Sequence, residues 1–306
     1  MVTILIATSA TQLLNNRDVI IDLDSKFGVY EWKRLSKACR KEELVIDLSN
    51  VEFAYPPGIV ALCLAVNYRG QKGKSTELAL PEAPEEDDVV AYLNRIDLFD
   101  NLPRETRIDQ DLSSLEQHAR NPSHEFTEVL VLEEEGIEDA SIVVRRFLQR
   151  HVEHWRKPYE VFNEVLLNAR DHSSVPMDDG AETELDFGVL HVQAYEDRLE
   201  LAVGDIGIGI RKSLNTCPLH DFGSIAKAIW AALEKGASRF SHMGDRERGG
   251  GLRRVKDVIE EMNGELDLRS CGGSAHLKSG SLRYRKYLTP FPGTLARVKL
   301  PSHDYG

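Results

Sequence analysis

The alternation of apolar and polar positions divides the chain into two runs of regular elements. Leu44 to Leu48 alternates as a buried strand, and Asp47-Leu48-Ser49-Asn50 supplies the turn out of it. Gly58 to Tyr68 carries a helical apolar face ended by Gly70 and Gly73, and Glu77 to Leu80 reads as a short strand. Strand, helix and strand in close succession predict a small α/β unit. The apolar stretch Met1 to Ala10 lacks a basic leader and a clear cleavage site, so it reads as a first strand rather than a signal peptide. In the second run, Asp139 to Arg156 has the spacing of an amphipathic helix with Ile142, Val143, Phe147, Leu148 and Val152 on its apolar side. Pro158 punctuates it, and a second helix covers Tyr159 to Asp171. Phe187 to Tyr195 and Arg198 to Val203 form two strands joined at Glu196-Asp197, a hairpin. A helix from Leu252 to Met262, a Gly264 cap, and strands at Glu265 to Arg269 and Leu295 to Leu300 complete the pattern.

Two polar stretches separate the runs. Pro81 to Asp88 reads as an exposed acidic loop, and Pro103 to Ser123, with Asp109-Gln110-Asp111 and Asn121-Pro122, reads as a connector. The expected organisation is an α+β chain: an α/β domain over 1–105, a linker over 106–138 and a second domain over 139–306.

Composition narrows the class. With 42% hydrophobic and 29% charged residues over 306 positions, the chain has the make-up of a soluble globular protein. The net charge of −12 argues against a surface built mainly for nucleic acid, and leaves room for a local basic patch. Cys39, Cys63, Cys217 and Cys271 lie far apart, which points to reduced thiols, a cytoplasmic location and no metal-ligand spacing. The longest apolar run, Ile59 to Val66, is far short of the ~20 residues a spanning helix needs, so no membrane association is expected.

Candidate chemistry lies in the second domain. Glu164, Asn168 and His172 stand at i, i+4 and i+8, about 40° apart around a helix, and so share one polar stripe. Asn168 offers a neutral oxygen to Mg²⁺, and Glu164 one turn away offers a base for a nucleophile attacking a γ-phosphate. A solvent-facing helix edge is the plainer alternative. Asp205-Ile-Gly207-Ile-Gly209 follows an apolar strand; its glycines admit a flat ligand, and Asp205 offers an acceptor to an exocyclic amine. Gly249-Gly250-Gly251-Leu252 opens a helix and so forms an anion site, with Arg246, Arg248, Arg253 and Arg254 around it. Gly293-Thr294 precedes the last strand, where the hydroxyl could reach the base or Asp205. The spacing fits neither the P-loop nor the dinucleotide fingerprint.

Taken in order, Glu-x-x-x-Asn-Ala-x-x-His, Asp-x-Gly-x-Gly, Gly-x-Gly-Leu and Gly-Thr resemble the GHKL superfamily of ATPases and kinases. The resemblance implies a Bergerat fold, a two-layer α/β sandwich of mixed sheet with helices on one face, holding ATP and Mg²⁺. It implies Asn168 as metal ligand, Glu164 as general base and Asp205 as adenine anchor. Gly207, Gly209 and His172 would lie beside the nucleotide, Gly249, Gly250, Gly251 and Leu252 at the phosphates, and Thr294 at the base. The stretch Ile210 to Arg248 would be a lid. In the first domain, Val45 to Phe53 followed by Gly58-Ile-Val-Ala-Leu looks like a STAS domain. Tyr55-Pro56-Pro57-Gly58 stands where that family carries a phosphorylatable serine, so the domain is expected to dock a protein partner rather than switch.

Three functions follow from the resemblance: an ATPase coupling nucleotide state to partner binding, a protein kinase acting in trans, or a nucleotide-gated binding module without turnover. A self-phosphorylating histidine kinase is not expected, because the nearest string, His124-Glu-Phe-Thr-Glu-Val129, ends in valine where proline is needed. A homodimer is left open.

Overall fold

The computed structural model describes residues 19–23, 26–28, 34–36, 39–81, 89–113, 126–132, 136–173, 187–241, 250–286 and 293–301. The expected strand at Met1 to Ala10 and most of the acidic loop before Asp88 lie outside them.

Parallel pairing builds the first sheet. β1 (Val19–Asp22), β3 (Leu44–Asp47), β5 (Glu77–Ala79) and β6 (Arg107–Ile108) stand in that order, and β2 (Lys26–Phe27) pairs separately with β4 (Phe53–Ala54). The turn out of β3 closes as the sequence suggests, with the Asp47 carboxylate accepting the Ser49 N–H at 2.9 Å. Between β4 and β5 runs α1 (Pro56–Gln71). Pro56 and Pro57 occupy its first turn, where missing N–H groups cost nothing.

α1 departs from the one-faced helix expected of it. Thirteen of its sixteen residues are buried. One side shares an apolar cluster with Leu44, Ile46, Leu48 and Leu78 of the first sheet; the same cluster takes in Val189, Ala202 and Leu295 of the second. Gly204 makes the approach to the second sheet close, since a Cβ there would lie 2.5 Å from Leu64 Cδ1 and 3.1 Å from Val60 Cγ1. A helix that is apolar all round needs cover all round. At its far end, the buried Arg69 guanidinium donates to the carbonyls of Lys41 (2.6 Å) and Glu42 (3.0 Å), and Arg69 Nε donates to Thr76 Oγ1 (2.8 Å).

α2 (Val89–Arg95) follows the first sheet's core, and β7 (Leu130–Val131) then begins the second sheet. The stretch expected as a linker thus contributes β6 to one sheet and β7 to the other. α3 (Ile137–His151) buries Ile137, Ala140, Val144, Phe147 and Leu148; Ile142 and Val143 are only half-buried, so its inner face sits slightly off the expected one. α4 (Arg156–Ser173) starts before Pro158 rather than after it, because proline is tolerated in a first turn.

The remaining strands are β8 (Gly188–Ala194), β9 (Arg198–Asp205), β10 (Glu265–Ser270), β11 (Gly273–Lys278), β12 (Ser281–Lys286) and β13 (Thr294–Pro301). With β7 they make a seven-stranded sheet, β12-β11-β10-β13-β9-β8-β7. One expectation is corrected here. Every described pairing in this sheet is antiparallel rather than mixed, because short hairpins join β8 to β9 and β10 through β12, and β13 inserts between the two sets. The second domain's helices α3, α4 and α7 (Gly251–Glu261) lie on one face, the inner, and α1 of the first domain covers part of the outer. No helix among the described residues is long and apolar enough to cross a membrane.

Candidate functional site

Four elements end at one place on the inner face. α4 brings Val165, Asn168 and Ala169; β9 brings Val203 and Asp205; Leu252 opens α7; Thr294 opens β13. Together with Ile210, Leu268 and Ala296 they line a cavity of about 20 Å³, enough for one water molecule. Sequence motifs separated by more than a hundred residues therefore meet around a single slot.

The amide of Asn168 donates to the Glu164 carbonyl one turn back at 2.6 Å. Only its NH₂ can do so, which leaves the Oδ1 acceptor for a ligand. Gly251 lies directly against these two residues. A Cβ there would collide with the Glu164 carboxylate and lie 3.6 Å from Asn168 Nδ2, so no other residue fits the start of α7 without moving the acid. Burial raises the Glu164 carboxyl above its ordinary value, the Glu160 charge adds to that, and Arg254 opposes it. Arg254 also reaches Glu160, at 3.7 Å, so this arginine leans over the N-terminal half of the polar stripe.

Asp205 is the buried anchor of the opposite wall. Its Oδ1 accepts the Gly207 N–H at 2.9 Å. Burial pushes the carboxyl up to about 7, with the backbone N–H groups of Gly207 and Thr294 pulling the other way. Gly293, at φ 81°, allows β13 to begin here, since a Cβ would collide with the Asp205 carbonyl. Gly209, at φ 74°, starts α5 (Gly209–Asn215), and a Cβ on it would lie 2.5 Å from Cys271 Sγ.

One residue that the sequence does not single out holds these parts together. Ser270, fully buried at the end of β10, accepts the Ile210 N–H at 2.8 Å and receives the Thr294 hydroxyl at 3.3 Å. The Thr294 hydroxyl is therefore turned to Ser270 rather than to Asp205, which takes the Thr294 backbone N–H instead. A lone serine at a strand end carries no sequence signal; only the register Ser270↔Thr294 reveals its role.

The other expected residues are distributed as follows. Gly250 adopts φ 82° as the N-cap of α7, packed against the Gly236 turn. His172 lies on α4, with its side chain outside the described ones; Gly249, Arg246 and Arg248 are also outside. Within the stretch expected as a lid, α6 (Ile225–Trp230) and the π-helical turn Ala231–Lys235 bury Ala228, Ile229, Ala232 and Leu233 in the core. Among the described residues no three His, Cys, Asp or Glu side chains gather as a metal cluster. No protein-family model matches the chain, and no curated protein matches it.

Proposed function

We propose that the chain is a Mg-ATP-binding protein of GHKL type, with a Bergerat-like second domain and a STAS-like first one, that couples nucleotide state to a protein partner. The observation that carries this reading is the convergence of Asn168, Asp205, Leu252 and Thr294 on one slot, with Gly251 against Glu164 and Asn168. Asp205 offers a desolvated acceptor to adenine N6, and Thr294 and Ser270 hold the strand ends on which it sits. The N-terminus of α7 supplies backbone N–H groups and a favourable dipole to phosphates.

The donor set fits Mg²⁺. One neutral oxygen, Asn168 Oδ1, with no competing cluster of carboxylates among the described residues, suits an ion that keeps waters and phosphate oxygens as its other ligands. Bound there, the ion would neutralise charge on the phosphates. Glu164, its carboxyl raised by burial, would take the proton from an attacking water. The slot holds about 20 Å³, so adenine would have to widen it, and Ile210 and Leu252 at the starts of α5 and α7 are among the residues it would displace. Binding and movement of these helix starts are thereby linked, which is what a nucleotide-driven partner switch requires.

Titration calorimetry with Mg-ATP tests the reading. Asn168→Ala should weaken binding about tenfold or more, whereas Glu164→Ala should bind normally and abolish turnover. Asp205→Asn should narrow the preference for ATP over GTP. Equal loss of binding in the Glu164 and Asn168 variants would remove the division of roles. Incubation with γ-labelled ATP and cell extract separates the outcomes: free phosphate for a hydrolase, a labelled second protein for a kinase acting in trans, neither for a gated binder.

A further inference from the structure

On the outer face of the seven-stranded sheet, α1 covers only the half around Ala202, Gly204 and Leu295. Beyond it the same face becomes a concave groove of about 520 Å³, bordered on one side by Lys26, Tyr55 and Pro57 of the first domain. We propose that this groove binds a small phosphate-bearing ligand of nucleotide size, separately from the slot on the inner face.

Charge is the first argument. Eight lysine and arginine side chains line the groove against three carboxylates, on a chain whose net charge is −12. The carboxylates are already engaged. Arg297 Nε meets Glu200 at 2.6 Å and its Nη1 meets Asp267 at 2.9 Å; Lys278 meets Glu265 at 2.8 Å. These pairs neutralise the floor and hold it rigid. What they leave is Arg283 and Arg285 on β12, both exposed and in no ion pair among the described residues, with Lys26 on the opposite border in the same condition. Register confirms that the two arginines face the groove, since Arg283 stands opposite His276 and Arg285 opposite Ser274, both lining residues. Two residues apart on one strand, their Cα atoms lie about 7 Å from each other, so two guanidinium forks are available to phosphate oxygens.

Size and shape are the second argument. The volume lies within the range of about 300–1,000 Å³ typical of small-ligand sites. Tyr55, packed at a 57° tilt against Phe53 with centroids 4.7 Å apart, gives one wall an aromatic surface. α1 begins beside it, and although its first N–H groups are absent in Pro56 and Pro57 or turned back to the Tyr55 carbonyl, its dipole still adds positive potential. A long polyanion is disfavoured, because outside the groove it would meet the chain's excess negative charge.

Binding of the dinucleotide pApA to the full chain, followed by calorimetry, tests the proposal. The Asn168→Ala chain should bind pApA as the unaltered chain does, because its lesion lies on the other face. Arg283→Glu with Arg285→Glu should weaken pApA at least tenfold. Raising salt from 50 to 200 mM should weaken it in the unaltered chain. If the charge reversal does not fold, judged by circular dichroism melts, Arg283→Gln with Arg285→Gln takes its place, with the same loss expected. Unchanged pApA affinity in the folded arginine variants would overturn the proposal. So would loss of pApA binding in Asn168→Ala, or tighter binding of a twenty-residue dT strand or polyglutamate than of pApA.

Discussion

The two faces of the seven-stranded sheet handle charge in opposite ways. On the inner face a single carboxylate, Asp205, is fully buried among apolar walls and met only by backbone N–H groups; burial raises its pKa to about 7. On the outer face polar groups come in rows, Lys278–Glu265–Lys299 and His276–Asp267–Arg297, each acid flanked by basic side chains across neighbouring strands. There burial lowers the Arg297 pKa, but Glu200 and Asp267 outweigh it and the net shift is upward. Whether a buried charge keeps its proton depends on its neighbours more than on its depth.

That contrast can be broken at several points. Arg297→Leu should be the most costly, at about 3–5 kcal/mol, because Glu200 would stay buried without its main partner. Adding Glu200→Leu should restore most of the loss in urea melts. Leu64→Ala, beneath the covered half of the outer face, should cost about 2–5 kcal/mol. It should lower the melting of both sheets together, since α1 belongs to both. Asp205 sharpens the comparison through pH. Its folded carboxyl titrates near 7 and its unfolded one near 3.8, so the folded chain alone holds the proton in between. Its stabilising contribution is full below about pH 4 and is lost as pH rises through 7, a swing on the order of 4 kcal/mol that Asp205→Asn should abolish. On the proposed reading, adenine binding should have the opposite slope, tightening as pH rises through 7 and the acceptor ionises. The smallest effect, about 1 kcal/mol, is expected for Gly280→Ala, where φ is 69° in the turn between β11 and β12.

That turn shows how much was legible in the sequence. Lys278-Ser279-Gly280-Ser281 is a two-residue hairpin signal, with Ser279 and Gly280 both at positive φ, yet the hairpin it closes is missing from the sequence-based pattern. β12, Ser-Leu-Arg-Tyr-Arg-Lys, alternates but carries only two apolar positions, Leu282 and Tyr284, both half-buried. The stripe of Glu164 and Asn168 and the glycine turns were readable because each encodes a local geometry. α1 was readable as a helix, but its run from Ile59 to Val66 has no polar side, and a one-faced assignment missed the second sheet it serves. Ser270 and the slot's apolar walls were not readable, since they depend on which strands become neighbours.

The position of β13 has a consequence for synthesis. It fills the gap between β9 and β10, so neither strand has its partner on that side until residues 294–301 have left the ribosome. Until then the nascent chain carries two unpaired strand edges, and α1 lacks only its contact with Leu295, so a chaperone that shields strand edges would have its opportunity here.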